Sequence, residues 1–269
     1  MSMDSAFRPP SLTASEYILA LFEPTDYVAI LVRNRSTRQT VQRIAKAEAV
    51  SNPEFQTWLA NQNAAGSDVF VGMNPIKNGA YSRTKDQIKD IRHVYLDLDR
   101  NGDDSLEAIR NSTEVPEPNF VLDTSPGKHQ VVWKVSGLSQ DEAEALLHSL
   151  ANQFDGDRAA TDSTRVLRLT GFANRKLSEE FIVQARQETD AVYTARDFTI
   201  REDAPEMPGI WAKLISGPRP AITKANPSMI GPTPNVPSAV ATTPKSYSSA
   251  LPTTAQRTKP TRIITLAEP

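Results

Sequence analysis

The 269-residue sequence contains no cysteine, only three histidines (His93, His129 and His148) and no long apolar run. The first absence excludes disulfides and cysteine-ligated zinc or iron–sulfur centres. The second argues against a histidine-rich metal site, so any catalytic metal has to rest mainly on carboxylates. The longest purely aliphatic run is Val28 to Val32, far below the roughly 20 residues a membrane helix needs. No basic, apolar, small-residue leader is evident, and a soluble cytoplasmic protein without a membrane partner is expected. A phosphate loop of the Gly-x-x-x-x-Gly-Lys-Ser/Thr type is also missing, which argues against a P-loop nucleotide enzyme.

What is present is unevenly distributed. Lys plus Arg number 30 against 32 Asp plus Glu, a formal net charge of −2. Yet 12 of the 20 prolines fall between Arg201 and Pro269, where 8 Lys or Arg face 4 Asp or Glu, while the first 200 residues carry 22 against 28. From Ala221 onward the chain is rich in Pro, Thr, Ser, Ala and Asn and lacks periodicity, a composition that buries too little surface to offset its ordering entropy. The expected organisation is a body over residues 1–204 and a basic, Pro-rich, disordered tail over 205–269. The tail reads either as a linker or as an arm that touches nucleic acid or a partner.

Within the body, helical and strand patterns alternate. Leu12 to Phe22 has helical spacing behind a Thr13, Glu16 capping box, and Ser139 with Glu142 opens a second helix, Gln140 to Gln153, with Ala143, Leu146, Leu147 and Leu150 on one face. Pro53 to Asn61 and Leu106 to Arg110 are further helices. Strands are expected at Asp26 to Val32, Val69 to Met73, His93 to Leu98, Phe120 to Asp123, Gln130 to Val135, Val166 to Leu169 and Phe181 to Ala185. Ser125, Pro126 and Gly127 supply the turn of a hairpin. The pattern predicts an α+β fold, a mixed or antiparallel sheet with flanking helices.

Three constellations carry possible chemistry. The strand His93-Val-Tyr-Leu-Asp-Leu-Asp99 ends in two carboxylates on one face, with Cα atoms about 6 to 7 Å apart. Such a pair repels unless a cation joins it, and oxygen-only ligands favour Mg²⁺ or Mn²⁺. A solvated strand end is the alternative. A calcium loop fails on spacing, since no helix precedes Asp97 and the expected glutamate would fall on Ala108. In Thr124-Ser-Pro-Gly-Lys-His-Gln130, backbone N–H groups of the turn, Ser125, Lys128 and His129 make either a phosphate cradle or an ordinary hairpin turn. Between Asp155 and Lys176, the acids Asp155, Asp157 and Asp162 precede Arg158, Arg165, Arg168, Arg175 and Lys176. Metal-holding acids beside phosphate-holding guanidinium groups suit phosphoryl transfer; a salt-bridged loop and edge strand is the plainer reading.

Taken in order, these motifs resemble the archaeo-eukaryotic primase (primase-polymerase) superfamily, in particular its plasmid-type branch with a RepB-like DNA primase domain. Thr124-Ser-Pro-Gly127 and Arg168-Leu-x-Gly-Phe-x-Asn-Arg-Lys176 carry the resemblance most specifically, and it runs from about Val69 to Ala185. It implies that Asp97 and Asp99 are the first metal carboxylates. The family's third acid precedes its paired arginines by eight or nine positions, which selects Asp157 with Asp162 as fallback. His129, Ser125, Lys128, Arg165, Arg168 and Lys176 become the nucleotide-binding residues. Gly127 stands where the family often has Ser, and Thr170 where it often has Pro; both affect positioning and remove no charge. Arg83 and Lys85 read equally as template or triphosphate contacts and as solvated side chains.

The function implied is a DNA primase of a plasmid or other mobile element, a nucleotidyltransferase using Mg²⁺ or Mn²⁺. Its partners would be a single-stranded DNA template and nucleoside triphosphates, with a replicative helicase or a separate accessory subunit alongside. The alternatives are a non-catalytic replication or mobilisation module that binds DNA, and a metal-dependent nuclease.

Overall fold

A computed structural model describes residues 10–199; the tail expected over 205–269 lies outside them. The described chain forms two four-stranded sheets in which every pairing is antiparallel.

The first sheet has strand order β2-β1-β3-β7, formed by β1 (Tyr27–Asn34), β2 (Thr40–Lys46), β3 (Ser67–Gly72) and β7 (Val166–Arg168). The Val28-Ala-Ile-Leu-Val32 run that marks β1 in the sequence sits centrally in this sheet, paired on both sides. Its Val28, Ile30 and Val32 are buried on one face together with Val69 and Val71. Helix α3 (Pro53–Ala64) packs on β1 and β3, with Leu59 fully buried. A proline at its first turn costs no hydrogen bond there. The short helix α2 (Ala47–Val50) links β2 to α3.

The second sheet has order β4-β6-β5-β8, with β4 (His93–Leu98), β5 (Phe120–Ser125), β6 (Lys128–Lys134) and β8 (Gln184–Gln187). Helix α5 (Gln140–Gln153) covers β4 and is opened by the Ser139–Glu142 capping box that its sequence announces. Helix α4 (Gly102–Asn111) follows β4 after a tight turn through Asn101, whose φ of 46° is left-handed. Helix α1 (Ala14–Leu21), with the Thr13–Glu16 box, sets the Tyr17 ring edge-on to Phe120 at 5.2 Å. Tyr17, Tyr95, Phe120 and Trp133 are all but fully buried, each contributing on the order of 2 kcal/mol of transfer free energy. The Trp133 indole N–H donates to the Pro116 carbonyl at 2.8 Å, so its polar atom is not stranded.

Two stitches hold the sheets together. Asn74 accepts backbone N–H bonds from Arg92 and His93 at the start of β4 and donates to the Ser163 carbonyl. Gln130 of β6 accepts from the Arg168 backbone N–H of β7 at 3.0 Å. These bonds fix where the end of β4 lies relative to the first sheet.

Candidate active site

The site is built around the end of β4. Period-2 alternation puts Asp97 on the face of its cross-strand partner Gln130, whose amide N–H₂ lies 3.4 Å from Asp97 Oδ1. Asp97 is largely shielded from solvent. Burial first, and the charge of Asp99 second, push its carboxyl up to about 6, with Asp157 adding to the rise. The interaction with Gln130 and the charge of Arg165 oppose that rise.

Asp157 arrives from far along the chain because of a glycine. After α5, a Cβ on Gly156 would meet Leu96 Cδ2 at 2.9 Å and the Ala151 Cα at 3.2 Å. Without a Cβ the loop lies this close to β4 with no displacement of Leu96 or Ala151, and the Asp157 N–H donates to the Asp97 carbonyl at 2.8 Å. Asp157 Oδ1 accepts from the Ala159 N–H at 2.9 Å, and its other oxygen stands 3.7 Å from Arg165. The fallback acid, Asp162, instead spends Oδ1 on the Thr164 N–H and hydroxyl. Asp97 feels the charges of Asp99, Asp157 and Arg165.

Asp99, just past β4, pairs with Lys128 at the start of the neighbouring β6 at 3.1 Å. The turn between β5 and β6 is pressed against the start of α4: a Cβ on Gly102 would stand 2.4 Å from the Gly127 carbonyl oxygen. Gly127 itself has φ +66°, a conformation suited to glycine. Asp99 is therefore tied to the turn by charge, three residues before the Gly102 approach that fixes the turn against α4.

The resemblance groups His129 with the phosphate-holding residues, but the register turns its imidazole the other way. His129 pairs with Leu98, whereas Asp97 pairs with Gln130, so His129 and Asp97 occupy opposite faces of the sheet. There His129 Nδ1 meets Asp123 at 2.8 Å and Nε2 meets Asp103 at 2.9 Å. The bond to Asp123 is the main cause of a raised His129 pKa. Arg186 clamps Asp123 with two nitrogens, at 2.5 and 3.2 Å. Although burial pushes the Asp123 carboxyl up, the bonds from His129 and Arg186 outweigh it and hold the group well below the usual range. Ser125 is buried and lines the same recess as His129.

The remaining expected residues divide in the same way. The Arg168 guanidinium donates to the fully buried Asp68 at 2.8 Å and lies over the Phe70 ring, 5.2 Å from its centroid. Asp68 also accepts from Arg35 and from the Arg175 backbone N–H. Lys176 is exposed. Arg83 donates to the Thr164 carbonyl near Arg165 and Asp162, while Lys85 reaches Glu144 at 2.5 Å. Sequence reasoning missed Gln130, Asp68 and Asp123. Gln130 was detectable only through the phase of β6, Asp68 only through partners 33, 100 and 107 residues away, and Asp123 only through His129 across the strand pair and Arg186 63 residues on.

Asp97, Asp99 and Asp157 are the carboxylates available to a cation at this end of β4. As arranged they do not form a finished cage: among the described residues no three His, Cys, Asp or Glu side chains are grouped to hold a metal ion. Asp99 faces Lys128 and Asp157 caps its own turn, so rotation of these two exposed or half-buried side chains would be required.

Residues 35–195 match the model of the RepB DNA-primase N-terminal domain. The chain is 31% identical over 147 residues to Mobilization protein A of Escherichia coli, covering 54% of this chain and 18% of that protein. It is 27% identical over 153 residues to a Replication protein of Clostridium perfringens, covering 52% and 36% respectively. The chain thus spans well under half the length of these relatives. The crystal structure of the catalytic domain of primase RepB' in complex with initiator DNA superposes with a TM-score of 0.52 at 26% identity, covering 68% of this chain and 89% of that one. The AEP domain of the cyanophage S-2L primase-polymerase shares the fold, with a TM-score of 0.50 at 15% identity over 66% and 90% of the two chains. With more than half of its length matched by the family model, this chain belongs to the RepB DNA-primase N-terminal domain family.

Proposed function

We propose that the chain is the catalytic domain of a DNA primase of a plasmid or other mobile element, joining nucleotides on a single-stranded DNA template. One observation carries this reading: Gly156 lets Asp157 bond to the end of the strand that carries Asp97 and runs into Asp99, 58 residues earlier in the sequence for the nearer of the two. Like charges gathered around the shielded Asp97 at a strand end suit a divalent cation, and the all-oxygen donor set fits Mg²⁺ or Mn²⁺. Asp97, Asp99 and Asp157 would hold it. Such an ion would lower the pKa of the attacking 3′-hydroxyl and neutralise charge on the departing pyrophosphate.

The chain's own residues do the positioning. Lys128 and Arg165 pair with the carboxylates and would receive triphosphate oxygens when the acids turn toward a cation. Lys176, which is exposed, would add positive charge for an incoming nucleotide. Gln130 orients Asp97 from the floor of the site. His129, with Asp123, Asp103 and Arg186, braces the hairpin turn and α4 from behind. Most of the rate would then come from alignment and charge neutralisation.

The direct test is template-dependent synthesis from ribo- or deoxyribonucleoside triphosphates on a short single-stranded template with Mg²⁺ or Mn²⁺. The wild type should extend, and Asp97→Asn with Asp99→Asn should abolish extension while leaving the fold intact by circular dichroism. Full synthesis by that double variant would sink the reading. Cleavage of labelled template without extension would identify a nuclease instead.

A further inference from the structure

The first sheet has a second face that the carboxylate site leaves unused. On β1, Leu31 and Arg33 point away from the buried Ile30 and Val32, and their partners on this face are Gln42 and Thr40 of β2 and Phe70 and Asp68 of β3. Leu31, Gln42 and Phe70 are only half-buried, and Arg33 is exposed. The face is continuous with the site: Phe70 pairs with Arg168 of β7, and Arg168 is joined by its N–H to Gln130, which reaches Asp97.

Its charge is one-sided. Between Arg33 and Lys46 the sequence has five basic residues and no acidic one, within a body whose first 200 residues are acidic on balance. Of these, Arg43 points to the other face and lies over the Trp58 ring at 3.7 Å, and Lys46 pairs with Glu48. Arg35 and Arg168 share the single buried carboxylate of Asp68, which leaves an excess positive charge there. Arg33 and Arg38 are exposed, and among the described residues neither joins an ion pair. Arg38 lies in the β1–β2 connection with a left-handed φ of 58° and is exposed.

We propose that this face, from Phe70 past Leu31 to Arg33, Arg35 and Arg38 on the β1–β2 hairpin, is the track along which the DNA strand leaves the carboxylate site. The guanidinium groups meet phosphates, and the half-buried Phe70 and Leu31 offer an apolar floor to bases. Asp68 acts as an internal counter-anion that keeps Arg35 and Arg168 in place whether or not DNA is bound. The inference rests on the reading of the chain as a DNA-templated enzyme only in its choice of ligand, since the charge and continuity of the face stand by themselves.

Binding of a fluorescein-labelled single-stranded oligonucleotide to the full chain, followed by anisotropy across a salt series, tests it. The comparison is between wild type, Arg33→Gln with Arg38→Asn, and a control losing two exposed arginines on the second sheet's side, Arg110→Gln with Arg196→Gln. Two lost phosphate contacts lower the slope of log K against log salt by about 1.4, and weaken binding at 0.1 M salt by roughly 25-fold. The control should keep the wild-type slope and lose little affinity. Equal losses in both variants, or none in either, would overturn the proposal. Template-dependent synthesis by the wild type is scored separately: synthesis without the Arg33 and Arg38 effect rejects the track alone, and the binding effect without synthesis rejects the primase reading alone.

Discussion

Replacing Gly102 with alanine tests how tightly the acidic turn is fitted to the hairpin behind it. The added Cβ would stand 2.4 Å from the Gly127 carbonyl oxygen and 3.2 Å from the Lys128 Cα, both backbone positions, whereas ordinary contact begins at 3.4 Å. No rotamer can relieve this, so α4 or the hairpin turn has to move by about 1 Å. Overpacking of this kind costs about 1–3 kcal/mol, of which the better helix propensity of alanine returns at most about 1. For a body of this size each kcal/mol shifts the melting temperature by about 2–4 °C, giving a fall of a few degrees. The catalytic loss should be larger in proportion. Asp99 precedes Gly102 by three residues and Lys128 follows Gly127, so the displacement separates a carboxylate from its partner, and a 1 Å misplacement can cost about 10²-fold in rate. Differential scanning calorimetry and template-dependent synthesis on the same preparation measure both effects. A variant with the wild-type melting temperature and rate would refute the close approach and, with it, the idea that the hairpin turn sets the position of Asp99.

Two further outcomes follow from buried charge. His93 is fully buried, and burial is the main reason its pKa falls to about 4; its Nδ1 faces the Met73 carbonyl at 2.6 Å. Because the folded state favours the neutral ring, its contribution is complete above the unfolded pKa of about 6.5 and is lost as the pH falls toward 4. Between pH 7 and pH 5 the stability of wild type relative to His93→Gln should therefore drop by about 2 kcal/mol in urea unfolding, and a constant difference would contradict the assignment. Asp68→Asn strands the Arg168 guanidinium in a buried position and should cost about 3–5 kcal/mol by the same measurement. A loss below about 1 kcal/mol would mean that Asp68 is not the anchor of that cluster.

Much of the fold is readable in the chain because local and long-range preferences agree there. The capping boxes at Thr13 and Ser139 begin helices where their spacing places them, and β4 begins at His93 and ends at Leu98 as its apolar run indicates. β2 is different. It is an edge strand bearing Arg43 and Lys46, with intermediate burial along almost its entire length, so no buried stripe marks it in the sequence. The Asp97-x-Asp99 pair is legible from strand alternation alone. The orientation of His129 is not, because a Ser-Pro-Gly turn followed by a strand leaves the phase of that strand open by one residue, and one residue exchanges the faces. Asp68 reads as one acid in an apolar strand until the fold brings Arg168 to it from 100 residues away.

Gln130 has a consequence for motion. A planar amide whose oxygen takes an N–H from one sheet and whose nitrogen faces a carboxylate on the other cannot be flipped without setting oxygen against oxygen and hydrogen against hydrogen. The position of β7 and the orientation of Asp97 are therefore coupled through a single side chain. A displacement of β7 relative to β6 would reach the carboxylate by way of this one amide.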